Sequence, residues 1–462
     1  MNPDMTSINR RRFMWTTGAA GIGLSSIVRA QSREPAVSPN SKLRVLSIGV
    51  VGTIGKVDRT QVSQHPAVEI SGLCDVDSNA LGQAAIDHPG AFTCRDYREA
   101  FSKYGDKFDA VIVSTPDHSH APIMLTALAN HKHVYGQKPL VHQLEELVMM
   151  EKAITARPNL VTQVGNQRMA AAGRRAAVEI LRSGALGKAV EAHVWVNSPN
   201  AREYFNLDRA IGEPKPAPAN LEWDLWLGPC EKTEYRDGIA PVVWRSLWDY
   251  GSNGLGDWGL HVLDVIFYSY DELVSPIAVQ THCTASPNPL FHSHPCHSTI
   301  TYAVGSEKFA RKQFAIYYSD SSQAPSRAAL GLPPGKYPDT NMTVVVCEGG
   351  VLCLTADGRL EIWRDGIMTS GLKMPGLPDF PKMNHWHAWV DNCLGIKTEL
   401  RSPFKDAVRM TEATLLAVKA TRFPGEELRW DKPTLSFTNH EEATKTIIRR
   451  SYRDGFAPPP VV

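Results

Sequence analysis

The chain has 462 residues, 43% hydrophobic and 21% charged, and its 49 basic and 48 acidic side chains leave a formal charge of +1. That length exceeds what one hydrophobic core usually fills, so two domains are expected, in a composition ordinary for a globular protein. No basic tract interleaved with aromatics occurs beyond the N-terminus, and no nucleic-acid partner is expected.

In chain order, Asn9-Arg10-Arg11-Arg12-Phe13-Met14 closely resembles the twin-arginine export consensus. A weakly apolar, Gly/Ala-rich run from Thr16 to Val28 follows, and Val28-Arg29-Ala30 offers small side chains where a signal peptidase reads them. Residues 1–30 therefore read as a signal peptide and 31–42 as a linker, with the polar, proline-bearing stretch Ser32 to Asn40. The plain alternative is an apolar helix after a chance arginine cluster. The run is too short and glycine-rich to span a membrane, and the first cysteine, Cys74, gives no lipid attachment point near the cleavage region. A periplasmic protein without a membrane anchor, engaging the twin-arginine machinery transiently, is expected. The eight cysteines contain no CxxC, and twin-arginine substrates fold in the reducing cytoplasm, as that resemblance implies. Most are expected to be core thiols.

Regular alternation begins at residue 43. Apolar β-type runs at Leu43–Ile48, Val68–Cys74, Asp109–Ser114, His133–Tyr135 and Leu160–Val164 alternate with helical stretches, notably His120–Asn130 and Leu144–Ala156. Strand–helix–strand at this spacing predicts a doubly wound parallel sheet, a Rossmann domain over 43–163. The remainder, 164–462, reads as an α/β domain with a largely antiparallel sheet. Helix Ala172–Ser183 leads into the alternating run Ala189–Ser198, and a Pro- and Trp-rich stretch from Pro199 to Trp244 reads as a substrate-covering loop. Strand-like runs follow at Ile277–Thr284, Ser298–Val304, Lys312–Tyr318, Met342–Val346 and Val351–Leu354, then helices at Asn384–Leu394 and Lys405–Thr421.

Three motifs carry chemistry. The first strand runs into Gly49-Val50-Val51-Gly52-Thr53-Ile54-Gly55, where glycines let the chain turn and let phosphate oxygens approach backbone N–H groups. Its GxxGxxG spacing departs from GxGxxG, but Asp75, ending the second strand 26 residues after Gly49, stands where a carboxylate would bind a ribose diol. That charge also favours NAD over NADP, by repelling a 2′-phosphate. Ser114-Thr115-Pro116-Asp117-His118-Ser119-His120 follows a central strand, and read alone it is equally a polar loop with a helix start. Lys138, in Tyr135-Gly136-Gln137-Lys138-Pro139, is restricted by the following proline and placed to stabilise an alkoxide. In Gly256-Asp257-Trp258-Gly259-Leu260-His261, Asp257 and His261 are four apart and share a helix face, a carboxylate orienting a general base. A helix cap with a packed histidine explains the same pattern.

TPDHSH, QKP and GDWGxHxxD, in this order behind a dinucleotide fold, resemble the glucose–fructose oxidoreductase / inositol dehydrogenase / rhizopine-catabolism (Gfo/Idh/MocA) family, over nearly all of the mature chain. The resemblance implies that Lys138, Asp257 and His261 are catalytic, and that Gly49, Gly52, Thr53, Ile54, Gly55, Asp75, Thr115, Pro116, His118, Gln137 and Lys138 line the cofactor. Gln163 and Asn166 would approach the nicotinamide or substrate with Asp257 and His261. Two departures stand out: Val51 where a glycine is common, and Gln137 in place of the usual glutamate of EKP. The expected function is NAD(P)-dependent oxidation of a CH–OH group of a sugar, with His261 as base, oriented by Asp257, and Lys138 beside the oxyanion. Export implies a tightly retained NAD. The alternatives are a glycosidase-type enzyme using transient oxidation and a non-catalytic, NAD-containing sugar-binding protein. A homo-oligomer, dimer or tetramer, is expected by resemblance. No metal is expected: His292-Ser293-His294-Pro295-Cys296-His297 is rich in ligand types, but alternation on a strand points them to opposite faces.

Overall fold

A computed structural model describes residues 42–196, 211–240, 243–284, 286–305, 307–320 and 324–460. The twin-arginine motif, the apolar run and Ser32 to Asn40 lie outside the described residues, as does part of the Pro- and Trp-rich stretch.

The first sheet has strands β1 (Leu43–Ile48), β2 (Val68–Cys74), β3 (Phe92–Cys94), β4 (Ala110–Val113), β5 (His133–Gly136) and β6 (Thr162–Val164). They pair in parallel in the order β3-β2-β1-β4-β5-β6. Helices α1 (Gly55–Ser63), α2 (Ser78–Asp87), α3 (Tyr97–Tyr104), α4 (His120–Ala129) and α5 (Leu144–Ala156) connect them. Burial on both faces explains the uninterrupted apolar runs: every residue of β4 is buried. The edge strand β3 has only three residues, one of them exposed, and so carries no apolar run that sequence reading would find. Strand order reverses between β1 and β4, which opens a crevice at their carboxyl ends.

After α6 (Ala172–Arg182) the chain builds a ten-stranded sheet. Its strands are β7 (Ala189–Val196), β8 (Ala278–Cys283), β9 (Cys296–Ala303), β10 (Gln313–Asp320), β11 (Met342–Cys347), β12 (Gly350–Thr355), β13 (Leu360–Arg364), β14 (Ile367–Ser370), β15 (Glu427–Asp431) and β16 (Ser436–Phe437). All pairings are antiparallel except β7 with β10. Burial alternates along β9, as expected where one face meets a core. That core is completed by α6 and two helices packed on each other, which follow the short α7 (Trp223–Leu227) and flank α9 (His385–Cys393): α8 (Asn253–Ser269) and α10 (Phe404–Ala420). Between α6 and α8, Arg174 and Asp264 form a fully buried ion pair at 2.5 Å.

The late segment returns to the first sheet. Asn384 caps α9 by accepting from the N–H groups of Trp386 and His387. Trp389 and Val390 then bury against Leu43, Val45 and Tyr135, so α9 covers the nucleotide half although it comes late in the sequence. All eight cysteines are free thiols, seven buried and Cys283 half-buried. No helix among the described residues is long and apolar enough to cross a membrane.

Candidate active site

At the crevice the loop after β1 turns through Gly49, whose φ of +79° is left-handed and whose added Cβ would meet Ser114 O at 2.6 Å. Gly55 opens α1 directly against this turn, where a Cβ would meet Gly49 O at 2.2 Å. Gly55 therefore sits behind the loop, packing helix to turn, and corrects the expectation that it lines the cofactor. Asp75 braces the turn from the end of β2, with one carboxylate oxygen accepting from Val50 N–H at 2.9 Å and the other from Asp77 N–H at 3.0 Å. Burial pushes the pKa of Asp75 up against these two bonds.

The loop opens on a cleft of about 590 Å³. Gly49, Gly52, Thr53, Ile54, Asp75, Thr115, Pro116, Gln137 and Lys138 line it from the nucleotide half, and Asp257 and His261 from α8. Lys138 Nζ donates to Asp257 Oδ1 at 2.7 Å and to Asp257 O at 2.6 Å. Burial pushes the Asp257 carboxyl up, but Lys138 and Arg245, whose Nε is 3.8 Å away, outweigh it and hold the pKa below the ordinary value.

The expected Asp257–His261 pair is corrected here. His261 Nδ1 lies 2.9 Å from Asn166 Oδ1, and Asp257 is engaged by Lys138 instead. The amide of Asn166 is oriented by its own donors, since Nδ2 reaches Leu260 O at 3.1 Å and Asp264 Oδ2 at 3.2 Å. Oδ1 can then only accept, so Nδ1 of His261 carries the proton and Nε2 is left as the basic nitrogen. Burial, then the charges of Lys138, Arg168 and Arg174, push the imidazole pKa well below 6.5, which keeps it neutral.

Three further expectations change. His118 does not line the cleft: it is wholly buried, with Nε2 2.9 Å from Trp226 O and Nδ1 3.3 Å from Tyr250 O, and it ties the Trp-rich segment to β4. Burial lowers its pKa to about 3, so it is neutral and donates to one of these carbonyls. Gln163 is also fully buried, donating to His385 O at 2.8 Å. Asn166 is fully buried and meets the cleft only through His261. Of the motif histidines, His292 faces Gly251 O, His294 faces Asp320 and His297 faces Ser319, three separate directions. Among the described residues no three His, Cys, Asp or Glu side chains are grouped to hold a metal.

Sequence reading missed Asp58 altogether. Its buried carboxylate accepts from Ser114 Oγ at 2.8 Å, Gln137 Nε2 at 2.8 Å and Trp386 Nε1 at 2.9 Å, so four elements meet on one group. Burial raises its pKa to about 6 against those three bonds. The arrangement explains Gln137 in QKP, because a glutamate there would face a second carboxylate. Arg168, Arg245, Asp117 and Trp258 also line the cleft. Asp117 lay within a recognised motif, whereas partners of Asp58 as distant as residue 386 leave no local signal.

Two family models match the chain: residues 43–165 match "Oxidoreductase family, NAD-binding Rossmann fold" and residues 174–307 match "Oxidoreductase family, C-terminal alpha/beta domain". An alpha-N-acetylgalactosaminidase of Shewanella oneidensis is 29% identical over 168 residues, 31% of this chain and 36% of that relative. An inositol 2-dehydrogenase of Rubrobacter xylanophilus is 29% identical over 153 residues, 32% of this chain and 43% of the relative. The alignments thus span less than half of these relatives' lengths. Among solved structures, the WlbA dehydrogenase of Bordetella pertussis, in complex with NADH and UDP-GlcNAcA, shares the fold with a TM-score of 0.59 and 15% identity, over 84% of this chain and 99% of that one. An inositol dehydrogenase homologue of Azotobacter vinelandii, with NADH and myo-inositol, gives 0.57 and 16%, over 84% and 98%. The two matched models together span more than half of the 462 residues, and the chain belongs to the Gfo/Idh/MocA oxidoreductase family.

Proposed function

We propose that this protein holds NAD in the cleft and uses transient oxidation of a sugar carbinol to cleave a glycosidic bond. The observation that carries the reading is the convergence of Lys138, from the nucleotide half, and a neutral His261 whose Nε2 is the basic nitrogen, from α8, on a cleft headed by the glycine turn. The residues present fit a dinucleotide: the turn at Gly49 excludes any side chain, Gly52 and Thr53 open onto the cleft, and Asp75 stands at the end of β2 where a ribose diol would lie. The carboxylate of Asp75 makes NADP the poorer ligand. NAD, when bound, supplies a hydride acceptor for the carbinol carbon and a donor for its return.

In this reading His261 Nε2 takes the hydroxyl proton, Asn166 holds its tautomer, and the Lys138 ammonium stabilises the oxygen as it gains charge. Asp257 positions Lys138. A ketone so formed acidifies the neighbouring C–H; loss of that proton expels the glycosidic oxygen, which leaves as an alcohol on taking up a proton, and water then adds across the resulting C=C before the ketone is reduced back to the carbinol. The glycosidase outcome is favoured over net dehydrogenation by the Shewanella relatives, among them glycosyl hydrolase family 109 proteins. Export by the twin-arginine route, supported by Asn9 to Met14 and Val28-Arg29-Ala30, is part of the proposal, since a protein folded before export carries its NAD along. We also infer self-association as a dimer or tetramer, by analogy with the family.

Purified protein should cleave aryl glycosides in D2O without added NAD. The product sugar should gain deuterium beside the transiently oxidised carbon, and Lys138→Ala and His261→Ala should abolish turnover. Stoichiometric NADH with intact glycoside would replace this reading with a net dehydrogenase. No turnover of any sugar, with sugar binding unchanged by both substitutions, would leave a binding protein.

A further inference from the structure

We propose that Cys283 and Cys296 form a thiol–disulfide switch that staples the loop backing the substrate end of the cleft. The two residues are directly opposed on the antiparallel pair β8–β9. Thr284 N–H donates to Pro295 O at 3.1 Å, so the neighbouring 284–295 pair is the hydrogen-bonded one. Cys283 and Cys296 then occupy a non-hydrogen-bonded position, where opposed Cα atoms are closest, about 4.5 Å, within the range a disulfide spans. Their Sγ atoms are already in contact, at 2.6 Å.

The loop between these strands is coupled to the site. Trp248 N–H donates to Leu290 O and His292 N–H to Ser246 O, both at 2.9 Å, and Asn253 Nδ2 donates to Ser293 O at 3.0 Å. Those bonds hold the segment that carries Arg245 and leads into α8. Closing the Cys283–Cys296 bond ties both ends of the loop together, which restricts the unfolded and locally open forms more than the native one.

The oxidant is a low-molecular-weight disulfide. Half-buried Cys283 reacts first: its thiolate attacks the disulfide, forms a mixed disulfide and releases one thiolate. Cys296 is buried, out of reach of a bulky disulfide, and its sulfur already touches that of Cys283, which leaves it the resolving role. Its sulfur then attacks the Cys283 sulfur and expels the second thiolate. The two protein thiols lose two electrons and two protons, and one disulfide becomes two thiols.

The full chain, reduced and then treated with oxidised glutathione, should fall from eight titratable thiols to six. Its mass should drop by about 2 Da for the two lost hydrogens, peptide mapping should join Cys283 to Cys296, and Tm should rise by a few degrees. Cys296→Ser should instead trap a glutathione adduct on Cys283, and Cys283→Ser should show neither change. Eight thiols remaining, a stable adduct on the unsubstituted protein, or a crosslink joining Cys74 to Cys94 would overturn the assignment.

Discussion

Gln137→Glu tests the electrostatics behind the QKP sequence. Gln137 Nε2 sits 2.8 Å from Asp58 Oδ2, so the substitution places two carboxylates at hydrogen-bond distance in a buried site. Two full charges at that separation would repel by about 6 kcal/mol at an effective dielectric of about 20. The pair will therefore keep a proton that each carboxyl loses near pH 4 in the unfolded chain. In the parent protein Asp58 alone titrates at about 6 when folded, above its ordinary 3.8. A carboxyl whose folded pKa is raised contributes stability at low pH and loses it as pH rises towards the folded pKa. The parent should thus lose roughly 3 kcal/mol between about pH 4 and 6 from this group and then level off. Gln137→Glu should go on losing stability above pH 6, by up to about 3 kcal/mol more at pH 8, because one retained proton costs about 1.4 kcal/mol per pH unit. Urea midpoints from pH 4.5 to 8.5 read this directly, and Asp58→Asn added to Gln137→Glu should recover most of the deficit at pH 8. Parallel curves above pH 6, or a double variant no better than the single one, would refute the reasoning.

Asn166→Leu removes the acceptor for His261 Nδ1–H, which should lower kcat by about 10²-fold or more. Its NAD content, read by native mass spectrometry, should stay unchanged, because Asn166 touches none of the glycine turn. Because burial and neighbouring cations push His261 well below 6.5, the acid limb of kcat should lie below pH 6.5, and a limb at pH 7 or above would remove His261 as the base. Arg174→Met leaves the fully buried Asp264 without its cation, and should cost about 3–5 kcal/mol in urea unfolding at pH 7. A loss under 1 kcal/mol would mean that the carboxylate finds another partner.

The motifs were legible where chemistry and local geometry coincide. The glycine turn, Asp75, Lys138 and the helix carrying Asp257 and His261 all reach the cleft, because each sits at a strand end or on a helix whose local periodicity aims it there. The misreadings came from assigning partners along the sequence. Asp257 and His261, one helical turn apart, turned to Lys138 and Asn166, which lie far off in the sequence and closer in space. His118 and Gln163 read as site residues because they flank it, yet His118 Nε2 faces Trp226 O and Gln163 Nε2 donates to His385 O.

By itself the sequence determined the alternation that makes a parallel sheet, the one-faced strands that make an antiparallel one, and the residue types available for hydride chemistry. These are local properties, set by periodicity and by what each side chain can do. Only the tertiary structure decided which nitrogen of His261 is basic, why residue 137 is glutamine, and that a helix near residue 390 covers a sheet begun at residue 43. Those outcomes depend on buried polar groups finding partners across tens to hundreds of residues, a constraint met in three dimensions and without trace in neighbouring letters.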